Sequence, residues 1–247
     1  PVTVVGGGPA GMEAARRAAE LGHRVTLLER ADELGGQLRW AAATPPLGHF
    51  QRLIDWYRRQ LEVLGVDVVL GAEGAAAAGS EVIVATGAET EIPALDGFDR
   101  MPTWTLEGLM AGEPATTGRP APVGRIAIAG GGQRALALAL LLAARGSSVV
   151  MISADRFGAD TSGLARRALL DRCRAADVQL VTGSLGALDS LGLHLADGTQ
   201  IQCDGLVLAG GMRSVVPAVD GVRIGDALNP ADVAAAIAGG RQAAEAI

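Results

Sequence analysis

The sequence contains no lysine, few aromatic residues and two cysteines. All of its 21 basic residues are arginines, and Phe, Trp and Tyr together make up 3% of the 247 residues. Without lysine, the chain cannot form a Schiff base with a carbonyl substrate or with pyridoxal phosphate, and it has neither the P-loop lysine nor the protein-kinase lysine. These enzyme classes are therefore excluded for this chain.

Neither the cysteines nor the histidines form a recognisable active-site or ligand motif. Cys173 and Cys203 are far apart, with no Cys-x-x-Cys pair, which excludes a redox disulfide motif and a zinc or iron–sulfur ligand set within these residues. His23, His49 and His194 are isolated and show no metal spacing or Ser-His-Asp arrangement. We therefore assign no catalytic and no metal-binding residue, and we expect both cysteines to be buried packing residues.

Charge and hydropathy exclude further partners. The net charge is −6 and the arginines are dispersed, unlike a nucleic-acid-binding surface or a polybasic membrane patch. The longest strongly apolar run, residues 135–144, is about half of a bilayer-spanning helix. With no signal peptide before the first element, we expect a cytoplasmic protein. Because Pro1 directly precedes a strand and the chain does not begin with Met, we also expect it to be part of a longer polypeptide.

Short apolar runs alternate with amphipathic helices, which is typical of parallel sheets covered on both faces. In the first part of the chain, strands are predicted at residues 2–5, 24–28, 66–70 and 81–85, and helices at 11–21 and 49–64. Tyr57 lies on the apolar face of the second helix, and we expect it to be a core or interface residue.

The opening pattern returns after a proline-rich stretch. Residues 100–123 contain Pro102, Pro114, Pro120 and Pro122, which predicts a connection between domains. Beyond it, a strand at 125–129, a helix at 133–145 and a strand at 148–152 repeat the first βαβ unit, which indicates an internal duplication. The chain then has a predicted hairpin at 191–203 around Asp197-Gly198, a strand at 222–224 and a final helix at 230–247.

A Gly-x-Gly-x-x-Gly sequence connects the first strand to the first helix. Gly6 permits a tight turn, Gly8 lets a pyrophosphate approach the backbone, and Gly11 allows close packing of helix and sheet. Glu29 ends the next strand, where a carboxylate can accept hydrogen bonds from both ribose hydroxyls of an adenosine. The alternative is that these glycines only form a turn. It is disfavoured because the preceding strand, the spacing of the glycines and the position of Glu29 all agree with a dinucleotide-binding site.

A second copy of this glycine-rich sequence connects the strand at 125–129 to the helix at 133–145. Gly130 and Gly132 occupy the first two glycine positions, Ala135 replaces the third glycine, and Gln133 opens the helix. This arrangement predicts a second dinucleotide site. The alternative is that this half keeps the fold and binds nothing.

The second copy lacks the acid of the first. Ser153 stands at the position that corresponds to Glu29, and Arg156 follows three residues later. A hydroxyl and a guanidinium suit the 2′-phosphate of NADPH better than a bare 2′-hydroxyl. If this site binds a coenzyme, we therefore expect it to prefer NADPH.

Several further motifs accompany the first glycine-rich turn, and together they resemble flavoproteins with two dinucleotide-binding domains. The motifs are Gly6-Gly7-Gly8-Pro9-Ala10-Gly11, Glu29, Glu33-Leu34-Gly35-Gly36-Gln37, Ala85-Thr86-Gly87-Ala88 and Gly225-Asp226. Gly35-Gly36-Gln37, a proline-containing loop and the helix with Asp55-Trp56-Tyr57-Arg58-Arg59 most closely resemble the C-terminal half of iron–sulfur flavoenzymes of the old yellow enzyme class, such as 2,4-dienoyl-CoA reductase, trimethylamine dehydrogenase and histamine dehydrogenase.

This resemblance implies an α/β protein with two nested Rossmann-like three-layer domains of the glutathione reductase type. Residues 1–95 and 215–247 would form the FAD-binding domain, and residues 96–214 an inserted NAD(P)H-binding domain. It assigns the pyrophosphate to Gly6, Gly8, Pro9, Ala10 and Gly11, the adenosine ribose to Glu29 and Arg30, the extended chain of FAD to Gly36 and Gln37, and closure of the site to Thr86, Gly87, Gly225 and Asp226.

The same resemblance implies a longer enzyme, in which an N-terminal barrel with FMN and a four-iron–four-sulfur cluster is part of the same polypeptide or of a partner subunit. A nicotinamide would reduce the flavin, and the electrons would pass to the missing part. Two alternatives are a structural module that holds ADP without redox turnover, as in the amine dehydrogenase branch, and a free-standing FAD-dependent reductase. The retained Gly130 and Gly132 favour a reductase.

Overall fold

The computed structural model describes residues 1–72, 79–118 and 122–247, so that Pro120 of the proline-rich stretch lies outside the described residues. The chain divides into two compact units. Unit 1 comprises Pro1–Ala42, Gly48–Glu89 and Met212–Ile247, and unit 2 comprises Ala43–Leu47 and Thr90–Gly211. These limits lie a few residues from the predicted ones, and the sequence did not indicate that Ala43–Leu47 belongs with unit 2.

Both units are built from strands and helices in alternation. In chain order, the strands are β1 (Val2–Val5), β2 (Val25–Glu29), β3 (Asp67–Leu70), β4 (Glu81–Val84), β5 (Ala88–Thr90), β6 (Thr103–Thr105), β7 (Arg125–Ala129), β8 (Ser148–Ser153), β9 (Gln179–Thr182), β10 (Leu185–Leu188), β11 (Gly192–Leu195), β12 (Gln200–Gln202), β13 (Gly205–Leu208), β14 (Met212–Ser214) and β15 (Val222–Arg223). The helices are α1 (Pro9–Glu20), α2 (Gln37–Ala42), α3 (Phe50–Val63), α4 (Leu106–Ala111), α5 (Gln133–Ala144), α6 (Gly163–Ala175) and α7 (Val233–Glu245). Short 3₁₀ turns occupy Pro45–Leu47 and Gly225–Ala227.

Four strands of each main sheet have the same order, and the fifth, at one edge, comes from different places in the chain: β15 follows β4, whereas β6 precedes β7. The sheet of unit 1 has the order β15-β4-β1-β2-β3, and that of unit 2 has the order β6-β13-β7-β8-β9. The neighbouring strands in both are parallel. The segment β1-α1-β2 therefore corresponds to β7-α5-β8, which confirms the internal duplication. The α/β architecture predicted from the alternating pattern is also confirmed.

Two small sheets accompany the main ones. In unit 2, β10, β11 and β12 form an antiparallel sheet, and β11 and β12 flank Asp197-Gly198 as the hairpin signal predicts. Gly198 has a φ of +88°, a backbone conformation that glycine adopts without strain. The other small sheet pairs β5 with β14.

The interpretation of residues 100–123 as a connection between domains was wrong. Thr103–Thr105 forms β6, which pairs with β13 at one edge of the unit 2 sheet, and Trp104 in its centre is 4% exposed. The following helix α4 begins where the Thr105 hydroxyl accepts a hydrogen bond from the backbone N–H of Gly108 at 3.1 Å. A three-residue strand is too short to show a periodic pattern in the sequence. It is buried because it pairs with β13 in the unit 2 sheet.

Small residues allow the helices of unit 1 to approach closely. A Cβ added to Gly240 of α7 would overlap the carbonyl oxygen of Ala10 in α1. Ala14 and Ala244 are fully buried in the same core. The many alanines and glycines of the chain therefore have a packing function here, because side chains of one carbon or none let two helix backbones come into contact.

Tyr57 is buried in the core of unit 1, which confirms one of the two expectations for it. Its hydroxyl donates a hydrogen bond to Oε2 of Glu13 at 3.2 Å. Two nitrogens of Arg16 donate to the same carboxylate at 2.8 Å each, so that the buried charge of Glu13 is compensated. Burial, followed by the Glu13 carboxylate, raises the pKa of Tyr57, which keeps the hydroxyl protonated as a donor.

The apolar run at residues 135–144 lies in α5. Leu136 and Leu138 of this helix are buried within unit 2, as are the alanines between and beside them. No helix of the described ranges 1–72, 79–118 and 122–247 is both long and apolar enough to cross a membrane.

Candidate functional site

The first glycine-rich turn leaves an open space at the N-terminus of α1. Gly6 has a φ of +108°, and a Cβ there would overlap the carbonyl oxygen of Ala85; a Cβ at Gly11 would overlap that of Gly6. Gly8 is different, because an added Cβ would have no heavy atom of the described residues within 4 Å. Gly6 and Gly11 are thus needed by the fold, whereas the space above Gly8 is available to a ligand.

The same space is favourable for an anion. Gly8 precedes α1, Pro9 is its first residue, and Ala10 is buried behind it. No side chain among the described residues caps this helix, and its first turn contains no acidic residue. The free backbone N–H groups and the positive end of the helix dipole therefore point to a position where a phosphate group can be bound.

Glu29 is held against the turn by backbone hydrogen bonds. Its side chain is buried, and Oε2 accepts a hydrogen bond from the N–H of Gly7 at 2.6 Å while Oε1 accepts one from Ala31 at 2.8 Å. The carboxylate is thus fixed at the end of β2, and the adjacent Arg30 is exposed. The structure places both residues beside the first turn, and their contact with a ribose stays a prediction.

A second loop lies directly on this turn. The N–H of Gly35 donates to the carbonyl of Gly7 at 2.9 Å, and a Cβ added to Gly36 would lie 3.0 Å from the Cα of Gly8. Gln37, the first residue of α2, donates through Nε2 to the carbonyl of Ala88 at 2.7 Å. The two motifs predicted to share a ligand, Gly6–Gly11 and Gly36-Gln37, are therefore adjacent in unit 1.

The remaining predicted residues lie in two other segments of unit 1. The Thr86 hydroxyl donates to the carbonyl of Val215 at 2.5 Å, and the N–H of Val215 donates to the carbonyl of Gly87 at 2.9 Å. Gly225 is close enough to α1 that a Cβ would lie 2.7 Å from the Cβ of Ala10.

Asp226 follows Gly225 in the 3₁₀ turn before α7. Its Oδ1 accepts from the N–H of Ala231 at 3.1 Å, and its carbonyl accepts from the Ser214 hydroxyl at 2.7 Å. The structure thus brings the Gly225-Asp226 motif to the N-terminal end of α1. Thr86 and Gly87 are part of another hydrogen-bonded connection, after β4.

Replacing Glu29 with glutamine is expected to weaken ADP and FAD binding by about tenfold or more. The change keeps one acceptor but removes the charge, and a hydrogen bond to a charged group contributes about 1.5–3 kcal/mol. Calorimetric titration with both nucleotides measures the effect. Glu33→Gln is the control, because Glu33 is an exposed carboxylate paired with Arg39 and Arg58. Equal affinities of Glu29→Gln and the unmodified chain would contradict the role of Glu29.

The second turn repeats the backbone geometry of the first. Gly130 has a φ of +144°, and its Cβ would lie 2.8 Å from the backbone of Ala209 and Gly210, as that of Gly6 would meet Ala85. Ser153 ends β8 as Glu29 ends β2, and a Cβ on Gly131 would lie 2.5 Å from its hydroxyl.

Ser153 and Arg156 frame the loop that follows β8. The Ser153 hydroxyl accepts a hydrogen bond from the N–H of Asp155 at 3.2 Å, and Arg156 is exposed. Gln133 is the first residue of α5. The alignment of Ser153 with Glu29, made from the sequence, agrees with their places in the two sheets, but their function in coenzyme choice stays a prediction.

The second turn differs from the first at Gly132, because a carboxylate of the chain itself lies there. A Cβ on Gly132 would lie 2.7 Å from Oδ2 of Asp160, and the N–H of Gln133 donates to both oxygens of Asp160 at 3.0 Å. The residues present therefore do not leave room for a pyrophosphate in this conformation. Asp160 was not predicted from the sequence. The one feature that could have indicated it is an acidic residue in the loop between β8 and α6.

The sequence was compared with known proteins. The family model of pyridine nucleotide-disulphide oxidoreductases matches residues 1–228, so the chain belongs to this family of flavin-dependent oxidoreductases. Bilirubin reductase of Mediterraneibacter gnavus (strain CC55_001C) is 34% identical over 228 residues, which are 86% of this chain and 34% of that protein. Family membership implies in general that FAD and NAD(P)H are bound.

Two solved structures have the same fold. 2-Naphthoyl-CoA reductase in complex with 2-naphthoyl-CoA has a TM-score of 0.89 and 24% identity, and the match covers 100% of this chain and 39% of that chain. Histamine dehydrogenase from Rhizobium sp. 4-9 has a TM-score of 0.85 and 22% identity, with coverages of 100% and 41%. The predicted resemblance is thus confirmed, and the chain spans between about a third and two fifths of the length of these three proteins.

The cysteines do not provide the disulphide chemistry named in the family description. Cys173 and Cys203 are both buried and unbonded, which confirms that they are packing residues. Burial raises the pKa of each thiol to about 11, so both stay protonated and weakly nucleophilic near neutral pH. The chemistry of this chain therefore depends on what its glycine-rich turns bind.

Proposed function

We propose that unit 1 binds FAD and that the chain is the nucleotide-binding part of a larger NAD(P)H-dependent flavoenzyme. The observation that carries this proposal is the open space above Gly8, at the uncapped N-terminus of α1. Gly36 next to Gly8, and Glu29 fixed beside the turn, extend the same surface in the two directions that a dinucleotide requires. A bound flavin would supply hydride and electron transfer.

The residues of unit 1 would bind and orient this cofactor. Backbone N–H groups of the turn from Gly8 to Gly11 would bind the pyrophosphate, with Gly6, Pro9 and Ala10 shaping the turn. Glu29 and Arg30 would contact the ribose region of the adenosine. Gly36 and Gln37 would follow the extended chain of the cofactor, and the segments Thr86-Gly87 and Gly225-Asp226 would close the site.

Unit 2 would receive the nicotinamide coenzyme, and we propose that NADPH is preferred. Ser153 stands where Glu29 stands in unit 1, so the carboxylate that would repel a 2′-phosphate from this position is missing, and the exposed Arg156 can pair with the phosphate. The barrel with FMN and the iron–sulfur cluster would belong to the remainder of the enzyme, in the same polypeptide or in a partner subunit. A cytoplasmic location also stays a proposal.

Changing Ser153 to Glu is expected to shift coenzyme preference towards NADH by about tenfold or more. The substitution exchanges a charge-assisted contact of about 1.5–3 kcal/mol for repulsion of the 2′-phosphate. Titration of NADPH and NADH against both proteins measures the ratio of the two dissociation constants. Ser148→Glu is the control, because it adds the same charge at the opposite end of β8. Tighter NADH binding by the unmodified chain would contradict the preference.

The second candidate function is a module that holds ADP permanently and has no redox turnover. Asp160 favours it, because the second turn contains a carboxylate where a coenzyme phosphate would be needed. Identification of the nucleotide released by heating the purified chain distinguishes the two candidates. FAD, with the visible absorbance of an oxidised flavin, supports the first; ADP in a colourless protein supports the second, and the absence of any nucleotide affinity contradicts both.

A further inference from the structure

The two glycine-rich turns have the same backbone design but different occupants. At Gly8 an added Cβ would meet no described heavy atom within 4 Å, whereas at Gly132 it would meet Oδ2 of Asp160 at 2.7 Å. Both glycines precede the first turn of a helix, with similar φ values of −74°. The difference therefore comes from the loop of residues 154–162, which follows β8, and not from the turns themselves.

This loop is held in place by hydrogen bonds on both sides of Asp160. The N–H of Gly158 donates to the carbonyl of Gly131 at 2.6 Å, and Nε of Arg166 donates to the carbonyl of Phe157 at 2.6 Å. The Phe157 side chain is buried, and the Thr161 hydroxyl donates to Oδ1 of Asp160 at 3.2 Å. The loop thus places Asp160 at the second turn, where its exposed side chain contacts Gln133 and Thr161.

The contact with Gln133 gives the carboxylate the environment of a bound phosphate. Its two oxygens share the N–H of the first residue of α5, at the positive end of the helix dipole. In a Gly-x-Gly-x-x-Gly/Ala turn, the pyrophosphate of a dinucleotide is bound at this same helix end. A pyrophosphate and the Asp160 carboxylate cannot occupy it together, since their volumes overlap and their charges repel.

We infer that Asp160 is an internal competitor of the pyridine nucleotide at the second turn. The coenzyme binds after the exposed Asp160 side chain has turned away from Gln133, and the free energy of breaking this contact lowers the affinity for the coenzyme. This inference rests on the proposed function of unit 2. It adds that the affinity is determined by a residue which does not itself bind the coenzyme.

The test compares Asp160→Ala with Asp171→Ala, each in the 247-residue chain saturated with FAD. Asp171 is the matched control, because it is an exposed acid of α6 that pairs with Arg174, and its neighbour Arg172 lies near Ala143 and Ala144, at the end of α5 opposite Gln133. Calorimetric titration gives the dissociation constant of NADPH. Asp160→Ala is expected to bind NADPH at least about tenfold more tightly than the unmodified chain, and Asp171→Ala to leave the affinity unchanged.

A second readout does not depend on the coenzyme. Amide hydrogen exchange at Gln133 is expected to be faster in Asp160→Ala, because the Gln133 N–H loses its acceptor, and unchanged in Asp171→Ala. Asp160→Asn, which keeps the shape of the side chain and removes its charge, is used for the titration if circular dichroism shows that Asp160→Ala is unfolded. Tightening by the asparagine variant supports the inference in the same way.

The other outcomes overturn the inference and separate it from the proposed function. If the unmodified chain and Asp160→Ala bind NADPH equally well, Asp160 does not compete, while the coenzyme site of unit 2 stands. If neither protein binds NADPH, both the inference and the proposed function of unit 2 fail. If both alanine variants bind equally more tightly than the unmodified chain, the effect is one of general charge and the specific competition is contradicted.

Discussion

Replacing Gly8 with valine is expected to abolish nucleotide binding while the chain stays folded. The space around a Cβ at Gly8 is free of described atoms and its φ of −74° suits any residue, so the fold accommodates the branched side chain. That space is where the backbone would meet a pyrophosphate. The dissociation constants of FAD and ADP should rise at least about a hundredfold, and the melting temperature should stay the same.

The control for this substitution is Gly163→Val. Gly163 also has no described heavy atom near an added Cβ, and it opens α6 as Gly8 precedes α1. The variant Gly163→Val is expected to bind FAD and ADP with the same affinity as the unmodified chain. If Gly8→Val binds FAD and ADP as tightly as the unmodified chain, the first turn does not bind the pyrophosphate.

Replacing Gly11 with alanine is expected to destabilise the fold of unit 1 by more than about 3 kcal/mol. A Cβ at this position would overlap the carbonyl oxygen of Gly6, and neither backbone segment can move without separating α1 from β1. Denaturant unfolding, followed by far-ultraviolet circular dichroism and by exchange of the β1 amides, measures the loss.

Gly239→Ala provides the matched comparison in another helix of unit 1. Its added Cβ would lie 3.6 Å from the nearest atom, the N of Gly225, which is ordinary van der Waals contact. Because alanine favours a helix over glycine by about 1 kcal/mol, this variant should be as stable as the unmodified chain or more stable. An equally stable Gly11→Ala would show that helix and strand are not packed as closely as described here.

Much of the fold could be predicted because the opening βαβ unit combines several local signals. Val2–Val5 is a buried strand of three valines and one threonine, and Gly6 follows it where the backbone turns at a positive φ. Two helices begin at residues other than the predicted ones. Helix α1 begins at Pro9, because proline is accepted at the first position of a helix. Helix α7 begins at Val233, because the side chain of Asp232 caps it.

Two of the elements that were missed, β13 and β6, have weak local signals. Gly205–Leu208 is fully buried in the middle of the unit 2 sheet, but four apolar residues after a cysteine and an aspartate do not indicate a strand by themselves. β6 lies among prolines and becomes a strand because β13 offers it an edge. Both depend on contacts between residues about a hundred positions apart, which local periodicity does not report.

In the candidate sites, too, residues of a local motif could be predicted, whereas a residue placed by the folding of a loop could not. Gly6, Gly8 and Glu29 could be predicted, because their spacing reflects the geometry of one turn and the strand beside it. Asp160 could not, because its contact with Gln133 depends on how the loop after β8 folds back onto α5. A motif thus indicates that a turn can bind a phosphate group, and the structure indicates what lies there.

Anaerobic reduction of the FAD-loaded chain by NADPH tests whether the chain transfers electrons from a nicotinamide to a flavin. The chain is expected to retain FAD in a fixed molar ratio, and a saturating concentration of NADPH is expected to remove the visible absorbance of the oxidised flavin. Gly8→Val should show neither the bound flavin nor the absorbance change. A chain that retains FAD but keeps its full visible absorbance at saturating NADPH and at saturating NADH would contradict the claim that it transfers electrons between a nicotinamide and a flavin.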